Sequence, residues 1–160
     1  MTIQVGDTLP SINLTTMTAE GPKPVSMTEL SAGKKVVLFA VPGAFTPTCS
    51  VQHLPGFLEK NNDLKEKGVD IIACVSVNDP FVMSAWGADR QVGEDVLMLS
   101  DGNGEFTAAI GLEMDGSGFG LGTRSQRYAM VIDDGVVSAL NVESGPGLDV
   151  SSAETILAQL

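Results

Sequence analysis

Thiols and imidazoles are scarce in this chain, with two cysteines and one histidine among 160 residues. Two cysteines build no disulfide framework, and the spacing of Cys49 and Cys74 fits no zinc or haem motif. With His53 as the lone histidine, a structural zinc site has too few donors, because such sites ordinarily take four Cys, His or carboxylate ligands. In a reducing compartment both cysteines are free thiols. Positive charge is also short: 9 Lys and Arg face 20 Asp and Glu, a net charge of −11. A nucleic-acid backbone or an anionic membrane surface is therefore repelled. No apolar run approaches the ~20 residues that span a bilayer. The opening MTIQVGDTLP lacks the basic-then-apolar order of a secretory signal. The expectation is a soluble, cytoplasmic protein, in which the Asn13-Leu14-Thr15 sequon has no meaning.

What remains is an ordinary globular composition without repeats, of a length that suits one domain over residues 1–160. KKVVLFAV, from Lys34 to Val41, reads as a strand buried on both faces. Thr46 then suits a helix N-cap and Pro47 the first helical position, predicting a helix to Lys67 that ends at Gly68. Pro55 lies inside it and predicts a kink near Leu54, or two helices sharing an axis. VDIIACVSV, from Val69 to Val77, is a second continuous strand, so the unit is βαβ and its strands parallel. Asp79-Pro80 opens another helix toward Gln91, VLMLSD follows as a third strand, and GEFTAAIG as a short helix. RYAMVIDDGVVSALNV reads as a hairpin about Asp133, Asp134 and Gly135. Ser151-Ser152-Ala153-Glu154 has the form of a capping box before a last helix to Leu160. The predicted class is α/β with a thioredoxin-like fold: a mixed central sheet flanked by helices, with extra N-terminal strands and a central insertion.

Cys49 falls just past the carboxyl end of the first central strand, where open α/β sheets form their sites. As the third helical residue it lies among amides without intrahelical acceptors, at the end of the dipole that favours an anion such as a thiolate. Acidity alone does little for such a nucleophile. Lowering a thiol's pKa from about 8.5 to about 6 raises the thiolate fraction at pH 7 about 30-fold, yet weakens the nucleophile about 13-fold. A site here must therefore act on the transition state, with donors aimed at the attacked and departing oxygens. The competing reading is a small buried residue under a helix start.

PGAFTPTCS, from Pro42, carries the Pro-x-x-x-Thr-x-x-Cys signature of peroxiredoxins. Together with VPGAFTPTCSVQHLPGF and ACVSVNDPFVMSAWG, the chain resembles the type II group of that family from VGDTLP to LNVE. The resemblance implies a thiol-dependent peroxidase without metal or organic cofactor, acting on hydrogen peroxide and small organic hydroperoxides. Cys49 is then the peroxidatic cysteine, oxidised to a sulfenic acid. Thr46 offers its hydroxyl to the peroxide, Pro42 shields the sulfur from water, and Arg127 supplies a guanidinium. Composition alone does not choose Arg127 over Arg124 or Arg90, and the alternative for Thr46 is a helix cap alone, or both roles shared. The resemblance further implies a homodimer.

Cys74 is read either as a buried inert thiol or as a resolving or regulatory one. GPGLDVSS carries no cysteine where animal relatives place a resolving thiol. A one-cysteine cycle is thus favoured, with reduction by glutathione and glutaredoxin, or by another thiol partner such as thioredoxin. The alternative is a redox sensor or interaction protein switched by Cys49 oxidation. His53, four residues beyond Cys49, is read as a packing or interface residue before a hydrolase base. GSGFGLG, from Gly116, is read as a surface loop, and SDGNGEF as a turn into a helix. Trp86 and Phe81 are read as core residues, or as part of a dimer face where exposed.

Overall fold

The computed structural model describes residues 1–160. A hairpin of β1 (Asn13–Thr18) and β2 (Gly21–Ser26) leads through α1 (Met27–Ser31) into β3 (Lys35–Ala40). A π-helical turn, Cys49–His53, runs into α2 (Leu54–Glu59) and α3 (Asn61–Glu66), followed by β4 (Ile71–Ser76) and α4 (Pro80–Asp89). Then come β5 (Leu97–Ser100), α5 (Glu105–Ala109), β6 (Glu113–Asp115), a 3₁₀ turn at Ser117–Phe119 and β7 (Thr123–Ser125). The chain closes with β8 (Tyr128–Asp133), β9 (Val136–Val142) and α6 (Ala153–Gln159). Seven strands form one sheet in the order β2-β1-β5-β4-β3-β8-β9, and β6-β7 pair separately. The β3, β4 and β5 strands are parallel, and β8, β9, β1 and β2 run antiparallel at the flanks. This is the mixed α/β arrangement expected.

The uninterrupted apolar runs of β3 and β4 follow from cover on both sides of the sheet. Val37, Phe39, Val41, Ile72 and Cys74 face a cluster with Phe57, Leu64, Met83, Trp86 and Ile156, drawn from α2, α3, α4 and α6. Val36, Leu38, Ala40, Ala73 and Val75 face Leu14, Met27, Phe106 and Ile110 on the other side. The hairpin turn is as predicted: Asp134 and Gly135 have φ of 50° and 81°, both in the left-handed region that a type I′ connection requires.

One local reading is corrected and two are refined. The helix from Thr46 breaks at Leu54, as its proline predicts, since Pro55 has no N–H for the preceding turn and its ring crowds the carbonyl four residues back. The chain answers with the π turn, where the Leu54 amide bonds the Cys49 carbonyl, and the axis breaks again at Lys60 (φ −92°, ψ 8°). Ser151 does not cap the last helix: Ser152 does, accepting from the Thr155 amide, and the Ser151 hydroxyl binds Glu143 instead. In SDGNGEF the turn into α5 holds as read, but Asp101 is more than a turn residue, because its buried carboxylate accepts the Phe106 and Thr107 amides.

Candidate active site

Cys49 lies at the start of the helical segment that leaves the end of β3, one residue after Thr48 and two after the proline that opens it. It is fully buried. Its sulfur has two partners. Arg127, in the residue before β8, brings Nη2 to 3.1 Å, and the Thr46 hydroxyl stands at 2.8 Å. That hydroxyl is also 2.7 Å from the Gly43 carbonyl oxygen. One proton cannot serve both. With a thiol, S–H donates to Thr46 Oγ1 and the hydroxyl donates to Gly43; with a thiolate, the hydroxyl turns to the sulfur. Thr46 is thus oriented by and toward the sulfur rather than spent on capping a free amide.

The guanidinium is held from behind. Nη1 of Arg127 is 2.9 Å from His53 Nδ1, and His53 Nε2 is 2.9 Å from the Ser151 carbonyl oxygen. Arginine only donates and a carbonyl only accepts, so the imidazole is neutral with its proton on Nε2. Glu143 completes the brace by accepting the Ser151 amide and hydroxyl at 2.8 and 2.6 Å, while its own amide donates to the Arg127 carbonyl at 2.9 Å. Burial opposes ionisation of Glu143, but the Ser151 hydroxyl and the amides of Asp149, Ser151 and Val150 outweigh it and hold the carboxyl below its ordinary range. No carboxylate pairs with Arg127: the molecule's two ion pairs are Lys23–Glu20 and Arg90–Asp89, both on the surface. Its Nε has no partner either. A buried guanidinium without a counter-ion is costly, and the sulfur of Cys49, as thiolate, is the anion in reach.

His53 is one of the residues bracing Arg127 that the sequence does not mark as such. The spacing of four residues from Cys49 placed it on the right face, but nothing in the sequence marked Arg127 as its partner. It is wedged between Phe39 (ring centroids 4.9 Å apart) and Phe57 (5.6 Å). Burial, and then the nearby Arg127 charge, lower its pKa from 6.5 to about 3. The unfolded chain takes up this proton near pH 6.5 and the folded one does not, so this residue's contribution is whole above that pH and is lost as pH falls toward 3. The slope is about 1.4 kcal/mol per pH unit. Urea denaturation at pH 7 and 4.5 should show the parent losing about 2–3 kcal/mol more than His53→Gln between the two. Equal losses would place the proton elsewhere.

Pro42 and Arg127 line a cavity of about 560 Å³ whose other walls include Phe119, Leu121, Glu143 and Pro146. Arg127 is common to both places, reaching the sulfur on one side and the cavity on the other. Arg124 is elsewhere, with Nε on the Leu121 carbonyl and Nη1 on the Pro42 carbonyl at 3.3 Å. Phe45, between Pro42 and Thr46 and the cysteine, has φ of 65°, a conformation that costs a bulky residue of order 1–3 kcal/mol. Cys74 lies mid-strand in β4, fully buried, and burial above all raises its thiol pKa. Trp86 is buried, with its indole N–H on the Ser50 hydroxyl at 2.9 Å, whereas Phe81 is 65% exposed.

Residues 4–157 match the Redoxin family model. The chain is 52% identical over 162 residues to Peroxiredoxin-2E, chloroplastic, of Arabidopsis thaliana, covering 99% of this chain and 69% of that one. It is 51% identical over 159 residues to Peroxiredoxin-2B of the same plant, covering 99% and 98%. Among solved structures, reduced Prx3 of Vibrio vulnificus in complex with H2O2 superposes with a TM-score of 0.94 at 60% identity, covering 98% of each chain.

Proposed function

The chain belongs to the peroxiredoxin family, in its type II group, and from that premise we propose that Cys49 carries its thiol-dependent peroxidase activity, with a one-cysteine cycle closed by glutathione and glutaredoxin. The observation that carries the reading is the pair of polar side-chain atoms, Arg127 Nη2 and Thr46 Oγ1, converging on one buried sulfur.

In the proposed reaction the Cys49 thiolate attacks the near oxygen of a hydroperoxide. An S–O bond forms as the O–O bond breaks, and the proton of the attacked oxygen passes to the departing one, which leaves as water or an alcohol while the sulfur becomes a sulfenate. Sulfur loses two electrons and the peroxide gains them. Charge develops on the departing oxygen, where Arg127 offers its unpartnered Nε and its fixed Nη groups. Thr46 gives up its hydrogen bond with the sulfur for one with the peroxide. Pro42, at the cavity wall, keeps water from the sulfenate. Glutathione then condenses with the sulfenic acid to a mixed disulfide and water, and a second thiol releases Cys49.

The one-cysteine cycle is supported by the setting of Cys74. Its strand is hydrogen-bonded to β3 on one side and β5 on the other, so the thiol moves only if the sheet opens. Its raised pKa also denies it the thiolate that would attack a sulfenic acid. In a coupled assay, Cys74→Ala should turn over peroxide at the parental rate with glutathione and glutaredoxin, and parent and variant alike should be slower with thioredoxin. A variant that stalls after one equivalent would make Cys74 the resolving thiol. The exposed Phe45, Phe81 and Phe119 support a homodimer, tested by sedimentation equilibrium.

A further inference from the structure

The Thr46 hydroxyl is aimed by a single peptide plane. The Gly43 carbonyl that receives this hydroxyl at 2.7 Å belongs to the same planar unit as the Ala44 amide. That amide points the opposite way and donates to Oδ1 of Asn78 at 3.0 Å. Rotating the plane would break both bonds at once. An amide N–H only donates, so the side-chain oxygen of Asn78, and not its nitrogen, faces Ala44.

Asn78 is itself fixed. Its Oδ1 also accepts the Ser76 hydroxyl at 2.6 Å, and its backbone carbonyl accepts the Ser100 hydroxyl at 2.5 Å. Ser76 ends β4 and Ser100 ends β5, and both are buried, so Asn78 is tied to the carboxyl ends of two central strands. Neither β4 nor α4 needs an asparagine here: β4 has ended, and Asp79 caps α4 through the Val82 amide. The loop it grips carries a strained residue, since Phe45 occupies the left-handed region. A side chain at Gly43 would crowd Arg124 Nη1 at 3.0 Å and Thr46 Cγ2 at 3.2 Å. Arg124, on the Pro42 carbonyl, holds the preceding peptide from the other side.

We infer that Asn78 is a positioning residue for the peroxide reaction: it locks the Gly43–Ala44 peptide so that the Gly43 carbonyl, by taking the Thr46 hydroxyl proton, holds the Thr46 oxygen beside the Cys49 sulfur, free to accept from the thiol or from the hydroxyl of a bound peroxide. The inference rests on the reading of Thr46 and Cys49 given above. It acts through Thr46 alone, so it predicts non-additivity.

Stopped-flow rates with hydrogen peroxide and alkylation rates with iodoacetamide test it on the full chain, with circular dichroism as the folding criterion. Asn78→Ala should react with peroxide about 10- to 100-fold more slowly, the scale of a displaced catalytic group. Asn78→Asp keeps the acceptor oxygen and should stay within about threefold of the parent. Alkylation should change less than about threefold in both, because the small reagent needs no hydroxyl. In a Thr46→Val background, Asn78→Ala should cost nothing further. If the alanine protein misfolds, Asn78→Gln, which displaces the amide by one methylene, carries the same comparisons. A parental peroxide rate for Asn78→Ala, an equal loss of alkylation, or an undiminished loss in the Thr46→Val background overturns the inference. Thr46→Val reacting at the parental rate overturns the reading of Thr46 as well.

Discussion

Replacing Cys49 by serine should abolish peroxide turnover to the uncatalysed background while the protein stays folded. The swap exchanges one sulfur atom for oxygen at a site that is fully buried, so packing changes little. The chemistry changes completely, because a serine hydroxyl has no accessible anion at neutral pH and no polarisable lone pair for an O–O bond. The other sulfur cannot substitute, since Cys74 is shut inside β4 with a raised pKa. Steady-state turnover over many equivalents also separates an enzyme from a sensor, which oxidises once and stops. Mass spectrometry after one equivalent of peroxide should add one oxygen to Cys49 in the parent and none to the variant. Undiminished turnover in Cys49→Ser would refute the assignment.

The parts of the fold that were legible are those where local chemistry and tertiary need coincide. The parallel core announced itself through β3 and β4, because strands covered on both faces have no polar positions to alternate. The β8–β9 turn was legible because only Asp, Asn or Gly tolerates its two positive φ angles. The helix after Cys49 was legible in its start and not in its course, since Pro55 demands a break but cannot say whether a kink or a π turn supplies it. The last capping box misled because Ser151 and Ser152 both fit the local rule, and Glu143, eight residues back, claims the first. The site shows the same division. Cys49 and Thr46 share one short motif and could be paired from sequence, whereas Arg127 lies 78 residues away. Choosing it over Arg124 took a family resemblance; the sheet explains the choice, by setting β8 beside β3. His53, Asn78 and Glu143 were invisible as functional residues because each acts on another residue that only the fold brings near.

Arg127→Ala should slow peroxide attack about 10²- to 10³-fold, the usual effect of deleting one charged donor to a developing oxyanion. The rate with iodoacetamide should fall far less. The two reactions share the nucleophile but not the leaving group: iodide departs without help, while the departing peroxide oxygen needs a donor at the moment the O–O bond stretches. Equal losses in both assays would mean that the arginine only tunes the thiolate. Arg127→Lys sharpens the argument, since it keeps the charge but not the fork. In the parent, Nη1 binds His53 and Nη2 binds the sulfur simultaneously, each from its own place on a rigid plane. One ammonium on a flexible stem cannot occupy both positions, so the lysine variant should remain at least about tenfold below the parent against peroxide. If lysine restored the full rate, charge alone would suffice, and the chain of contacts from Glu143 through Ser151 and His53 to the guanidinium would have no part in catalysis.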